Sequence, residues 1–139
     1  MTTTNHKEAA GLQLQLLPIR LAVCRLAADA SIPDWATKGE FFAIVRTSDE
    51  LSVVCTQSEL LESVQREADW RCFKVQGPLD FSLTGVLASL ASPLADAKVS
   101  IFAISTFDTD YLLVKENVLE QAKRALTSAG HAISDERNP

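Results

Sequence analysis

Asp108 and Asp110 flank the entrance to an apolar run, Tyr111-Leu112-Leu113-Val114, and a third acid, Asp80, stands in the Gly77 to Gly85 turn ahead of a helical pattern. If the chain brings strand ends and helix starts to one edge, these carboxylates converge and can neutralise an ammonium or another cation. The Gly77 to Gly85 turn offers the complementary chemistry, because backbone N–H groups at a helix start hold a carboxylate. Gly85 has no side chain and lets a ligand approach the backbone closely. Ser105 and Thr106 add hydroxyls, and Phe107 adds a wall against an aliphatic stem. Each residue also has a plainer reading. Asp108 suits a turn and Asp80 a helix cap. Gly77-Pro78 suits an ordinary turn, Gly85 a helix-packing contact, and Phe107 the core. Asp110 is hardest to assign to structure alone, since it begins an otherwise apolar strand.

Other chemistries find less support. One short D-x-D is too sparse for a divalent-metal site, so neither metal nor cofactor is expected. The two histidines, His6 and His131, fall in the N-terminal leader and just past the last helix, where neither serves as a general base. No serine sits in a G-x-S-x-G elbow, and the Gly77 to Gly85 turn lacks a phosphate-loop lysine. The chain is therefore expected not to be an enzyme.

Cys24, Cys55 and Cys72 lie singly in apolar runs without metal-ligand spacing. They read as buried thiols in a reducing cytoplasm. A net charge of −5 and the lack of a basic run argue against nucleic-acid binding. No run approaches the roughly 20 apolar residues of a membrane span. Residues 1–11 read as a polar, mobile leader without a signal-peptide core.

The elements that must position these residues repeat. Phe42-Ala43-Ile44 returns sixty positions later as Phe102-Ala103-Ile104, and each begins a hairpin with an acidic turn. A repeat of this kind implies two similar supersecondary units. In the first, Leu12–Leu16 alternates as a half-buried strand and Ile19–Leu26 continues as another. Asp34 and Trp35 follow Pro33 into one helical turn. Phe41–Arg46 and Leu51–Cys55 make a hairpin, and Ser58 caps a helix to about Ala68, with Glu62 and Arg66 paired at i,i+4. In the second, Trp70–Gln76 is a strand. A helix follows with Leu83, Val86, Leu87, Leu90, Leu94 and Ala97 at helical spacing, and Pro93 within it removes one backbone donor. Val99–Ser105 and Tyr111–Lys115 form the second hairpin. Asn117 and Glu120 make a capping-box-like pair for the last helix, which Gly130 stops. The expected divisions are a unit at 12–68, a unit at 69–130 and a tail at 131–139.

The segment Gly77-Pro-Leu-Asp-Phe-Ser-Leu-Thr-Gly85, followed by Ile104-Ser-Thr-Phe-Asp-Thr-Asp-Tyr-Leu-Leu-Val114, resembles the small tandem ACT-domain proteins. That branch includes the CASTOR arginine sensors and the ACT repeats of aspartokinases. The resemblance extends from about Leu12 to Ala129. It implies an α+β, ferredoxin-like ACT fold of two βαββ(α)-type units, the first degenerate, with antiparallel sheets and helices on one face. It also implies binding of an amino acid or similar small molecule where two ACT units meet. Ser105, Thr106, Phe107 and Asp110 match the segment that grips the ligand in the sensors. The loop from Leu79 to Val86, with Asp80, Thr84 and Gly85, matches the one that closes the site. A homodimer would restore the sensors' four-unit arrangement. The function so implied is a regulatory sensor module without catalysis. The alternative is a structural or protein-interaction module that has lost its ligand, with Leu12–Leu16 as an exposed edge strand for a partner.

Overall fold

The computed structural model describes residues 11–77 and 85–135. The chain divides into two compact units, one of residues 19–71 and one that joins the segment before it to residues from 72 onward. The expected boundary at 68 and 69 instead falls inside a single strand. That strand, β5 (Gln65–Val75), gives its first part to one unit and its last part to the other. The first strand, β1 (Gln13–Leu16), belongs with the C-terminal unit.

The unit of residues 19–71 is antiparallel throughout. Its strands are β2 (Leu21–Leu26), β3 (Ala43–Arg46), β4 (Leu51–Thr56) and the first part of β5, in the order β3-β4-β2-β5. Ala22 and Cys24 from β2, Leu51, Val53 and Cys55 from β4, and Trp35 from the 3-10 turn Asp34–Thr37 share one core. The alternation along both strands places these side chains on one face.

The helix expected from Ser58 to Ala68 does not form. Gln57–Glu59 makes a single 3-10 turn, and the chain then extends into β5. Leu61 is 85% exposed, so no apolar stripe exists to bury such a helix. Arg66 donates to the Glu62 and Val64 carbonyls rather than to the Glu62 carboxylate. That carboxylate instead accepts the Trp35 indole N–H at 2.9 Å. β5 pairs with β2 through a register shift between Leu21 and Val23. There Asp69 takes φ +67°, and the Gln57 side-chain amide donates to the Asp69 carboxylate and accepts the Asp69 backbone N–H. The bulge thus has its own clamp.

The second unit adds α1 (Val86–Asp96), β6 (Phe102–Ser105), β7 (Asp110–Lys115), α2 (Leu119–Ser128) and β8 (Ala132–Asp135). Its strand order is β8-β1-β5-β7-β6. Leu14, Leu16, Phe73, Val75, Leu112 and Val114 from one sheet face meet Leu90 and Leu94 of α1 and Ala122 and Leu126 of α2. Both helices therefore cover the same face, as expected.

Two corrections concern the edge. Leu12–Leu16 is no free edge, because β1 is antiparallel to β5 on one side and parallel to β8 on the other. Residues 132–135 are a strand rather than a tail: Gln13 to Leu16 pair in register with Ala132 to Asp135. Asn117 does not cap α2. The cap position is Val118, and Glu116–Val118 forms a 3-10 turn before it. Gly130 does end the helix. It takes φ +100°, its N–H bonds the Thr127 carbonyl, and the His131 N–H bonds the Leu126 carbonyl, a Schellman arrangement.

The duplicated part is closer than the sequence period suggested. β3 and β6 have four residues each, and β4 and β7 six each. A 3-10 turn of three residues follows in both. Arg46 pairs with Leu51 and Ser105 with Asp110, so the structural offset is fifty-nine positions rather than sixty.

Candidate functional site

Ser105 ends β6 and Asp110 begins β7, as a cross-strand pair. The Ser105 hydroxyl donates to the Asp110 carboxylate at 2.6 Å. A four-residue turn joins them. The Thr106 N–H donates to the Thr109 carbonyl at 2.8 Å. The Thr106 hydroxyl donates to the same carbonyl at 3.0 Å and accepts the Thr109 N–H at 3.3 Å. That hydroxyl is thus committed to the turn. Phe107 and Asp108 occupy the exposed tip, and Phe107 is 79% exposed. Phe107 is therefore not core.

Thr109, which the sequence reading passed over, is buried at 5% exposure. Its hydroxyl donates to the Val75 carbonyl at 2.7 Å. This ties the turn to the C-terminal end of β5, the strand end from which the chain leaves toward α1.

α1 begins at Val86, which is buried, with Gly85 in the cap position at φ +78°. Among the described residues, a Cβ at Gly85 would meet nothing within 4 Å. Gly85 is thus required by its backbone conformation and not by helix packing. No side chain caps the N–H groups of this first turn among the described residues. The positive end of the helix dipole lies at this turn. Leu79, Asp80 and Thr84 lie outside the described residues, so convergence of Asp80 with the other acids is not placed. Ser105, Thr106, Phe107, Asp108 and Asp110 share one hairpin end, and Gly85 with Val86 opens the helix that follows β5.

The first hairpin supplies an internal comparison. Its turn uses the same device, with Thr47 bonded through both its N–H and its hydroxyl to Glu50. Yet its chemistry is satisfied from within. Arg25 donates to the Asp49 carbonyl at 3.0 Å and lies 3.9 Å from the Glu50 carboxylate. Arg46 donates to the Ala28 and Ala30 carbonyls. Where Asp110 opens β7, Leu51 opens β4 and is fully buried. Among the described residues, no lysine or arginine pairs with Asp108 or Asp110.

Among the described residues, no three His, Cys, Asp or Glu side chains gather as a metal site. The three cysteines are free and buried. A side-chain hydrogen bond between Cys24 and Cys55 holds the Cys24 thiol below its ordinary range and pushes Cys55 up. Burial pushes Cys72 up to about 12. None of the three sits at the hairpin end. Among the described residues, no helix is long and apolar enough to cross a membrane.

An ACT-domain family model matches residues 65–128, and a model of an N-terminal domain matches residues 20–62. The human cytosolic arginine sensor for mTORC1 subunit 1 is 35% identical over 103 residues, which cover 63% of this chain and 31% of the sensor. The chain thus spans less than a third of that relative's length. A crystal structure of protein Atu0741 from Agrobacterium tumefaciens matches with a TM-score of 0.88 and 42% identity, covering 94% of this chain and 97% of that one. The regulatory subunit of aspartate kinase from Thermus flavus matches with a TM-score of 0.55 at 15% identity, over 86% and 97% of the two chains. That last likeness is one of fold.

Proposed function

The chain belongs to the ACT-domain family, in its CASTOR-like branch, and on that premise we propose that it is a regulatory module without catalysis whose C-terminal unit binds a free amino acid. The observation that carries this reading is Asp110. A half-buried carboxylate, held by Ser105 at 2.6 Å, opens a strand that its sister hairpin opens with a buried leucine. Among the described residues no lysine or arginine pairs with this carboxylate, which leaves its charge available to a cationic ligand. An ammonium group is the natural partner, and the start of α1, which no side chain caps among the described residues, suits the carboxylate of the same ligand.

Asp108 at the turn tip favours a ligand with a second positive charge, and Phe107 offers a face for its aliphatic stem. Thr106 serves the turn and does not contact the ligand. A second copy of the chain completes the site, as a homodimer. Ligand then acts by shifting an assembly equilibrium, to the extent that it binds one state better than the other.

A thermal-shift screen against the twenty amino acids tests this reading. A ligand at 100 times its dissociation constant adds about 2.7 kcal/mol, a rise of several degrees. A rise with one or two amino acids, basic ones foremost, supports the sensor. No rise with any of them refutes amino-acid binding and leaves the interaction module standing.

A further inference from the structure

His131 is buried at 5% exposure, and both of its ring nitrogens are used. Nδ1 lies 3.1 Å from the Leu12 N–H, which donates to it. Nε2 lies 3.0 Å from the Ser89 carbonyl. A backbone N–H can only donate and a carbonyl can only accept, so one arrangement satisfies both: a neutral ring with its proton on Nε2. Among the described residues neither ring nitrogen meets a carboxylate.

Ser89 is not an arbitrary acceptor. In a helix its carbonyl should take the N–H of the residue four positions on. That residue is Pro93, inside α1, and proline has no N–H. Buried carbonyls without donors are rare in native structures. Ser89 also closes the first turn of α1, because its own N–H donates to the Gly85 carbonyl at 2.8 Å. His131 is fixed in turn by its backbone. Its N–H ends α2 on the Leu126 carbonyl, and Ala132 beside it donates to the Leu12 carbonyl at 2.9 Å.

We propose that His131 is a positioning residue: it supplies from outside the helix the hydrogen bond that Pro93 withholds, and so fixes the first turn of α1 against β1 and the end of α2. Its relevance to ligand rests on the amino-acid-binding reading, since Gly85 and Val86 lie in that turn. The coupling between His131 and Pro93 stands or falls without it.

The test is a double-mutant cycle in the full chain, read by melting temperature. His131→Phe keeps the ring volume and removes both bonds, and the midpoint should fall by several degrees. Pro93→Ala gives the Ser89 carbonyl back its helical donor. The fall caused by His131→Phe should then be clearly smaller in the Pro93→Ala background. Equal falls in both backgrounds would overturn the proposal. If His131→Phe does not fold, the wild type decides. Imidazole nitrogen–proton spectra should place the proton on Nε2, and the Leu12 amide should exchange slowly. A proton on Nδ1, or a freely exchanging Leu12 amide, would overturn the proposal. For an amino acid that shifts the wild-type midpoint, His131→Phe should weaken binding and the double variant should recover part of it. A cycle that couples while no amino acid binds would leave His131 in its role and remove the sensor reading.

Discussion

Asp110 holds the strand position in β7 that Leu51 holds in β4: each is the first residue of its strand, paired across a four-residue turn with the last residue of the strand before. Leu51 is fully buried in the core of its unit. One scaffold position therefore carries an apolar anchor in one copy and a carboxylate in the other.

Replacing Asp110 should separate function from stability. Asp110→Leu installs the residue that the sister hairpin already accommodates. It loses the bond from Ser105 but removes a half-buried charge. The midpoint should stay within a few degrees of wild type, or rise, while amino-acid binding disappears. A variant that unfolds would mean that the Ser105–Asp110 pair is structural.

Gly85 makes a different prediction, because none of the described residues crowds it and its φ of +78° favours glycine. Gly85→Ala should cost about 1–2 kcal/mol through the left-handed conformation. Gly85→Asn, which tolerates that region, should cost clearly less. Equal losses for the two variants in urea unfolding would point to packing instead of backbone strain.

Thr109 anchors the turn. Thr109→Val keeps the shape but strands the Val75 carbonyl, now a buried acceptor without its 2.7 Å donor. A loss of about 1–3 kcal/mol is expected. Ligand affinity should fall with it, since the turn carrying Asp108 and Asp110 is no longer tied to β5. Unchanged affinity in a destabilised variant would show that the turn keeps its place without this bond.

Cys72 should leave a signature at alkaline pH. Burial raises its folded-state value from 9.0 to about 12. The protonated thiol is the form that the folded state prefers. Its contribution is complete below pH 9 and is lost as pH rises from 9 toward 12. The slope from this group is at most about 1.4 kcal/mol per pH unit. Denaturant midpoints taken across that window should fall more steeply for wild type than for Cys72→Ala. Parallel curves would contradict the assignment.

The parts of the fold legible in the sequence were those whose signals are local. Both hairpins, α1, α2 and the Gly130 stop follow from apolar spacing and turn residues near at hand. Where the reading failed, the deciding partner was distant. Leu60, Leu61 and Val64 have helical spacing, but Gln65 to Trp70 extend instead because β2 pairs with them. Ala132 to Asp135 look like a polar tail until β1 pairs with them. Gly85 and Asp110 stood out by type at an unusual place. Thr109 and His131 did not, since their importance lies in bonds to Val75, Ser89 and Leu12, far away in the chain.

The most direct test of the sensor reading is a calorimetric titration of wild type and Asp110→Asn with each of arginine, lysine and the best amino acid from the thermal screen. The account predicts saturable binding of at least one of them to wild type, and none to the variant, whose melting should remain cooperative. Equal binding to both proteins, or heat from neither with any amino acid, would contradict a ligand site at Asp110.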